Sequence, residues 1–145
     1  MMDALILTVI LTSIPLILAA TGELIAERSG VLNLGVEGMM LMGAVAAFAI
    51  TSLSGNPYFG IIAAAAAGAM TAAIFAVFTL ALATNQVATG LALTIFGTGL
   101  SGLVGAPFVG GTVDGLQAVS IPVLSDLPVL GGLLFQLDLL AYGAF

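Results

Sequence analysis

The sequence predicts an all-α integral membrane protein. It reads as a polytopic bundle of about four transmembrane helices, with a broken or re-entrant segment and the start of a fifth helix. Three observations predict this. Charged residues are scarce: one basic and seven acidic side chains among 145 residues, where a soluble domain carries roughly a quarter. So few charges cannot cover a surface in water, whereas a surface facing lipid should be apolar. The mean hydropathy is +1.33, and the apolar residues fall into runs long enough to span a bilayer. Between the runs stand short clusters of Gly, Pro, Asn, Ser and Thr, residues that turn a chain.

Composition also removes whole classes of function. With no cysteine there are no disulfides or thiolate metal sites, and with no histidine the commonest metal ligand and general base is missing. No metal site and no cofactor is expected. A net charge of −6 with a single arginine and no lysine excludes nucleic acid as a partner. Without lysine no Gly-x-x-x-x-Gly-Lys phosphate loop can be written, and no nucleophile–base pair appears, so the chain is not expected to be an enzyme.

A bilayer core is about 30 Å thick and takes roughly 20 apolar residues of helix to cross. The first run covers residues 4–26. It follows Met1-Met2-Asp3 without the basic stretch of a signal peptide, so it is expected to stay as a span. The second covers 36–53 and ends in the polar turn Ser54-Gly55-Asn56-Pro57. The third covers 58–83, long enough to cross with tilt, and Thr84-Asn85-Gln86 breaks it. The fourth covers 87–104. Residues 105–137 hold Pro107, Pro122, Pro128 and two Gly-Gly pairs and read as an outer loop carrying a short surface helix. A fifth helix opens at 138–145. Arg28 is the only cation, and basic residues favour the cytoplasmic side. It places residues 21–35 and 84–86 inside, and the N-terminus, 54–57 and 105–137 outside.

Helices in lipid associate by close packing, which small residues permit. Two rows at four-residue spacing suit that role: Gly68, Ala72 and Ala76 on the third run, and Gly90, Thr94, Thr98, Gly102 and Ala106 on the fourth, with Gly97, Ser101 and Gly105 beside them. Plain helix packing accounts for nearly all of these. The functional alternative is that Thr94 and Thr98 face a polar pathway.

Residues 21–38, TGELIAERSGVLNLGVEG, carry polar groups that do not belong in lipid. Glu23, Glu27, Arg28, Asn33 and Glu37 lie between two apolar runs, and Gly30, Gly35 and Gly38 interrupt the helix pattern. Residues 30–38 therefore read as broken backbone, which membranes tolerate only where protein buries it or water lines it. Glu37 has two readings: an acid favoured by the dipole at a helix start, or, with Asn33, a member of a solute path or a brace for the break. Glu23 and Glu27 share a helix face, and with Arg28 read as an interfacial anchor. Asn85 and Gln86 read as the polar start of a helix or as amide partners for a polar solute.

Residues 27–44, ERSGVLNLGVEGMMLMGA, resemble the signature of the membrane permease subunits of ABC importers for nucleosides and simple sugars. These lie in the wider group that includes ribose and branched-chain amino-acid permeases. Residues 85–100, NQVATGLALTIFGTGL, are similar to the family's next segment, and 121–131, IPVLSDLPVLG, to its outer loop. The three stretches occur in order and cover essentially the whole chain. The resemblance implies a subunit of the cytoplasmic membrane that pairs with a second permease subunit. Cytoplasmic ATPase subunits drive the pair, and an extracytoplasmic solute-binding protein supplies it. The solute passes between the two permeases by alternating access. Carried over by position, Asn33, Glu37, Asn85, Gln86 and Thr94 are the candidates for the solute path. Family members are longer than this chain, and 138–145 reads as a helix just starting, so an N-terminal fragment is expected. Relatives also carry basic residues before the position of Asn85, where this chain has Leu82-Ala83-Thr84. Composition alone equally permits a non-transporting helical scaffold, and less readily a passive channel; within the resemblance, a branched-chain amino-acid type permease is the second alternative.

Overall fold

The structure, a computed structural model, describes residues 2–116, 119–120 and 136–144. Among the described residues, four helical stretches are long and apolar enough to cross a membrane: Leu5–Arg28, Val36–Ser54, Pro57–Ala81 and Gln86–Phe108. The described chain is all-helical apart from one two-residue strand pair. It divides into two compact units, Met1–Gly22 with Leu116–Phe145, and Glu23–Gly115.

In the first unit, helix α1 (Met2–Arg28) supplies Ile14, which is buried together with Ala141, and Leu7, Ile10, Tyr142 and Ala144 pack around them. Side-chain hydroxyls in α1 bond back onto its own backbone, Thr12 to the Thr8 carbonyl at 2.8 Å and Ser13 to that of Ile10 at 2.7 Å. This is how a polar side chain is carried at membrane depth without a neighbour. Strand β1 (Val119–Ser120) pairs antiparallel with β2 (Gln136–Leu137), Val119 opposite Leu137. Helix α5 (Leu139–Ala144) follows, its start capped by Asp138, whose carboxylate accepts the Ala141 N–H at 2.8 Å. The short surface helix expected within 105–137 falls largely on residues outside the described set. The part that is described holds a 3-10 turn, Ala106–Phe108.

The second unit is built around helix α2 (Val36–Ser54). Helix α3 (Pro57–Ala76) packs on one side of it and α4 (Gln86–Gly105) on the other, while α3 and α4 barely meet. Met39, Phe75 and Leu93, one from each helix, form the buried centre, with Val31 against them. The α2–α3 turn has its chemistry written in its residues. Gly55 ends α2 in the left-handed region at φ 67°, its N–H on the Thr51 carbonyl. Asn56 then caps α3 by accepting the Tyr58 N–H, with Pro57 at the first helical position.

The third span does not finish as an α-helix. Val77–Ala81 is a π-turn, in which the Leu82 N–H reaches back to the Val77 carbonyl at 3.0 Å. Thr79 bonds the Phe75 carbonyl, and both the N–H and the hydroxyl of Thr84 bond that of Phe78. These side chains absorb carbonyls that the wider turn leaves free. Ala83 is then left-handed at φ 50°, which costs a residue with a Cβ roughly 1–2 kcal/mol.

The packing rows differ from those read in the sequence. Small residues do set the helix contacts, but among the described residues Gly68 and Gly102 have nothing within 4 Å of where a Cβ would stand, and Ala72 and Thr98 are exposed. Four-residue spacing on a repetitive Gly/Ala surface offers several parallel rows, and the residues used include Gly90 and Gly97, both expected from the sequence, with others from neighbouring rows. On α4 they are Gly90, Leu93 and Gly97, all buried. On α3 they run through Gly60, Thr71 and Phe75. A Cβ on Gly97 would come 2.7 Å from the backbone of Gly38, and one on Gly38 would come 2.6 Å from the Leu93 carbonyl oxygen. Gly38 therefore lies within α2 as the point where α4 crosses, and it does not break the helix.

Two contrasting substitutions follow. Gly97→Ala should destabilise the detergent-solubilised protein by about 1–3 kcal/mol through overpacking. Gly68→Ala should be neutral or stabilising by up to about 1 kcal/mol, because alanine replaces glycine in open helix. Thermal unfolding followed by size-exclusion chromatography separates the two.

Candidate functional site

The polar residues between the first two spans are organised by the break itself. Helix α1 ends in a left-handed closure: the Gly30 N–H bonds the Glu27 carbonyl at 2.9 Å and the Val31 N–H bonds that of Ala26 at 3.1 Å, with Gly30 at φ 84°. The chain then runs without helical bonds to Gly35, and α2 starts at Val36. At membrane depth every polar group of such a stretch needs a partner.

The partners are side chains. The Leu32 N–H donates to Gln86 Oε1 at 2.7 Å, the Asn33 N–H to Glu23 Oε1 at 2.9 Å, and the Gly35 N–H to Asn33 Oδ1 at 3.0 Å. The Leu34 carbonyl accepts the Thr94 hydroxyl at 2.9 Å. Gly90 lets the break lie flush on α4, since a Cβ there would come 2.8 Å from the Leu34 nitrogen. Residues from α1, α4 and the break itself thus hold one irregular segment in place.

Beside it is a cavity of about 310 Å³ lined by Glu23, Glu27, Asn33, Glu37 and Thr94, with Leu32, Leu34, Val36 and Leu91 completing the wall. The side chains of Glu27 and Glu37 make no hydrogen bond or ion pair among the described residues, and Glu23 Oε2 is buried without a partner there. No cationic side chain lines the cavity. Its chemistry is therefore that of hydrogen-bond acceptors, matched to a solute presenting hydroxyl or amine donors. A larger hollow of about 520 Å³ lies between α4 and the end of the third span, but Ile74, Phe78, Ala88, Thr89, Ala92, Leu93 and Phe96 make it almost wholly apolar.

Of the five candidate path residues, Asn33, Glu37 and Thr94 meet at the smaller cavity, and Asn85 and Gln86 do not line it. Asn85 caps α4 by accepting the Ala88 N–H at 3.0 Å, and Gln86 holds Leu32. Asn33 spends its carbonyl on Gly35, and its amide nitrogen lies 3.6 Å from Met39 Sδ. Of the three helix-break glycines, Gly30 and Gly35 flank the irregular stretch and Gly38 lies inside α2. The anchor reading of Glu23 and Glu27 also changes. Both face the cavity, and Glu23 binds the break. Their four-residue spacing at the end of an apolar run already put them on one side of α1, but only the turn at Gly30 brings Asn33 back to meet Glu23.

This arrangement, a glycine-closed helix end, a side-chain-held break and a small cavity lined by three acids, lies in a chain with four described helices long and apolar enough to cross a membrane. The family profile described as branched-chain amino acid transport system / permease component matches residues 5–137, and the chain belongs to that family. It is 42% identical over 125 residues to a Haloferax volcanii protein provisionally named a glucose ABC transporter permease protein, covering 83% of this chain and 38% of that one. It is 32% identical over 133 residues to the guanosine ABC transporter permease protein of Bacillus subtilis, covering 84% and 42%. With the nucleoside ABC transporter permease protein of Lactococcus lactis the identity is 27% over 144 residues, covering 92% and 45%. The chain thus spans less than half the length of these relatives. No solved structure matches it. Family and helices together make it a multi-pass protein of the cytoplasmic membrane.

Thr94→Val should cost about 1 kcal/mol, because the Leu34 carbonyl loses its donor. Thr98→Val should cost less, since Thr98 only bonds back to the Thr94 carbonyl of its own helix. Melting temperatures of the two purified variants check this.

Proposed function

We propose that this chain forms part of the membrane-spanning permease subunit of an ATP-binding-cassette importer. That subunit moves a nucleoside or a simple sugar across the cytoplasmic membrane by alternating access. The observation that carries the reading is the acceptor-lined cavity at a break between two spans, in a chain that belongs to a permease family. Glu37, Glu27 and Thr94 are the groups offered to the solute, while Asn33 shapes the wall. ATP hydrolysis belongs to separate cytoplasmic ATPase subunits. A second permease subunit completes the path, and an extracytoplasmic solute-binding protein delivers the cargo.

The family's description speaks for branched-chain amino acids, and the relatives compared above are named for glucose, guanosine and nucleosides. The cavity supports the second group. A zwitterionic amino acid brings a carboxylate, which at membrane depth needs a cation or free N–H groups. Here the lining has no cation, and the three acids that stand in it, Glu23, Glu27 and Glu37, disfavour a further carboxylate. A neutral, hydroxyl-rich solute makes no such demand. A non-transporting scaffold would have no use for unpaired carboxylates beside a cavity.

The test is uptake of labelled guanosine, glucose and leucine by cells carrying the complete gene and its transporter partners. Wild-type cells should take up guanosine or glucose and not leucine. Glu37→Gln should lower that uptake at least about tenfold with membrane expression intact, as expected when a charge-assisted hydrogen bond is lost. Unchanged uptake in Glu37→Gln would remove this residue from the path, and leucine as sole cargo would reverse the solute assignment.

A further inference from the structure

We propose that Gln86, which lies outside the cavity, is a positioning residue that sets the cavity's shape by holding the backbone on which Asn33 and Glu37 stand. The inference rests on reading that cavity as part of the solute path. Leu32 and Asn33 are consecutive residues with no helical partner, and their N–H groups are taken by side chains of two different helices, Gln86 of α4 and Glu23 of α1. The Leu32 bond, at 2.7 Å, lies at the short end of the amide range. It ties together residues 54 apart in the chain.

Gln86 is not needed to build α4. Asn85 caps that helix independently, and the Thr89 hydroxyl closes its first turn on the Asn85 carbonyl at 2.9 Å. Nor is Gln86 needed to seat α2 on α4, a contact made where Gly90 meets Leu34 and Gly97 meets Gly38. Its specific effect is on residues 31–35. Removing its side-chain oxygen leaves the Leu32 N–H without a partner and the break held by Glu23 and, at the Leu34 carbonyl, by Thr94. The break then opens locally, and Glu37, two residues beyond Gly35, moves with the start of α2. Only the acceptor oxygen is used, so a carboxylate should serve as well as the amide.

The described chain has no cysteine, which permits a readout independent of the solute. In the full-length gene product, with any cysteine beyond this chain replaced by serine, Glu37→Cys is labelled in membranes with a small maleimide. A second label site, Ser52→Cys, lies at the other end of α2 as a control. Adding Gln86→Met should raise the labelling rate at position 37 about fivefold, the effect of one net hydrogen bond on a local opening equilibrium, and leave position 52 unchanged. Adding Gln86→Glu should restore the wild-type rate. Unchanged labelling at 37 in Gln86→Met overturns the proposal. So does an equal rise at both positions, which would mean general loosening, or a failure of Gln86→Glu to rescue. Should Gln86→Met open position 37 while Glu37→Gln leaves uptake untouched, the positioning role stands and the solute-path reading falls.

Discussion

The structure depends on how closely α4 approaches the segment that precedes and begins α2. Gly90 meets the Leu34 backbone and Gly97 meets that of Gly38, at distances that leave no room for a Cβ. Hydrophobic attraction between helices is weak in lipid, so such contact has to come from shape and from hydrogen bonds made across it. Both are present. The two glycines bring the backbones together, and at that range Thr94 and Gln86 reach the carbonyl of Leu34 and the N–H of Leu32. Larger residues at 90 or 97 would separate the helices and leave those backbone groups unpaired.

The same contact explains how irregular backbone survives in so apolar a chain. The break gives up helical bonds over a few residues, which lipid would penalise heavily. Side chains take up the N–H groups of Leu32, Asn33 and Gly35 and the carbonyl of Leu34. The acids nearby divide into two kinds. Glu23 gives one oxygen to the break, while the side chains of Glu27 and Glu37 line the cavity with no partner among the described residues. Structural and chemical roles are thus interleaved along one short sequence.

The membrane class and its four spans were legible because they follow from length and hydropathy, which are local properties. So was the turn chemistry at Gly55, Asn56 and Pro57, where each residue type allows few conformations. The choice among packing rows was not. Gly90 and Gly97 were among the small residues the sequence offered, but Thr98 and Gly102 share their composition and spacing, and only the three-dimensional crossing of α2 and α4 separates them. The pairing of Glu23 was hidden for a related reason. Its partner Asn33 is ten residues on, beyond a left-handed turn, and helix spacing cannot show that meeting. Asn85 and Gln86 look alike as amides in sequence, yet one caps its own helix and the other holds a distant stretch of backbone.

The π-turn at Val77–Ala81 bears on how this bundle tolerates change in chain length. Each residue of an α-helix advances the side chains by about 100°. An insertion or deletion inside a regular span would therefore turn Phe75 or Leu93 away from the centre they share with Met39. A π-turn is an α-helix with one residue too many, accommodated by wider bonding and by the hydroxyls of Thr79 and Thr84. It lies after Phe75 and before α4, so a residue lost there would tighten the coil and leave both buried rows in register. Length variation among homologous spans has a natural place to collect, at the one stretch of the third span where the helical count is already uneven.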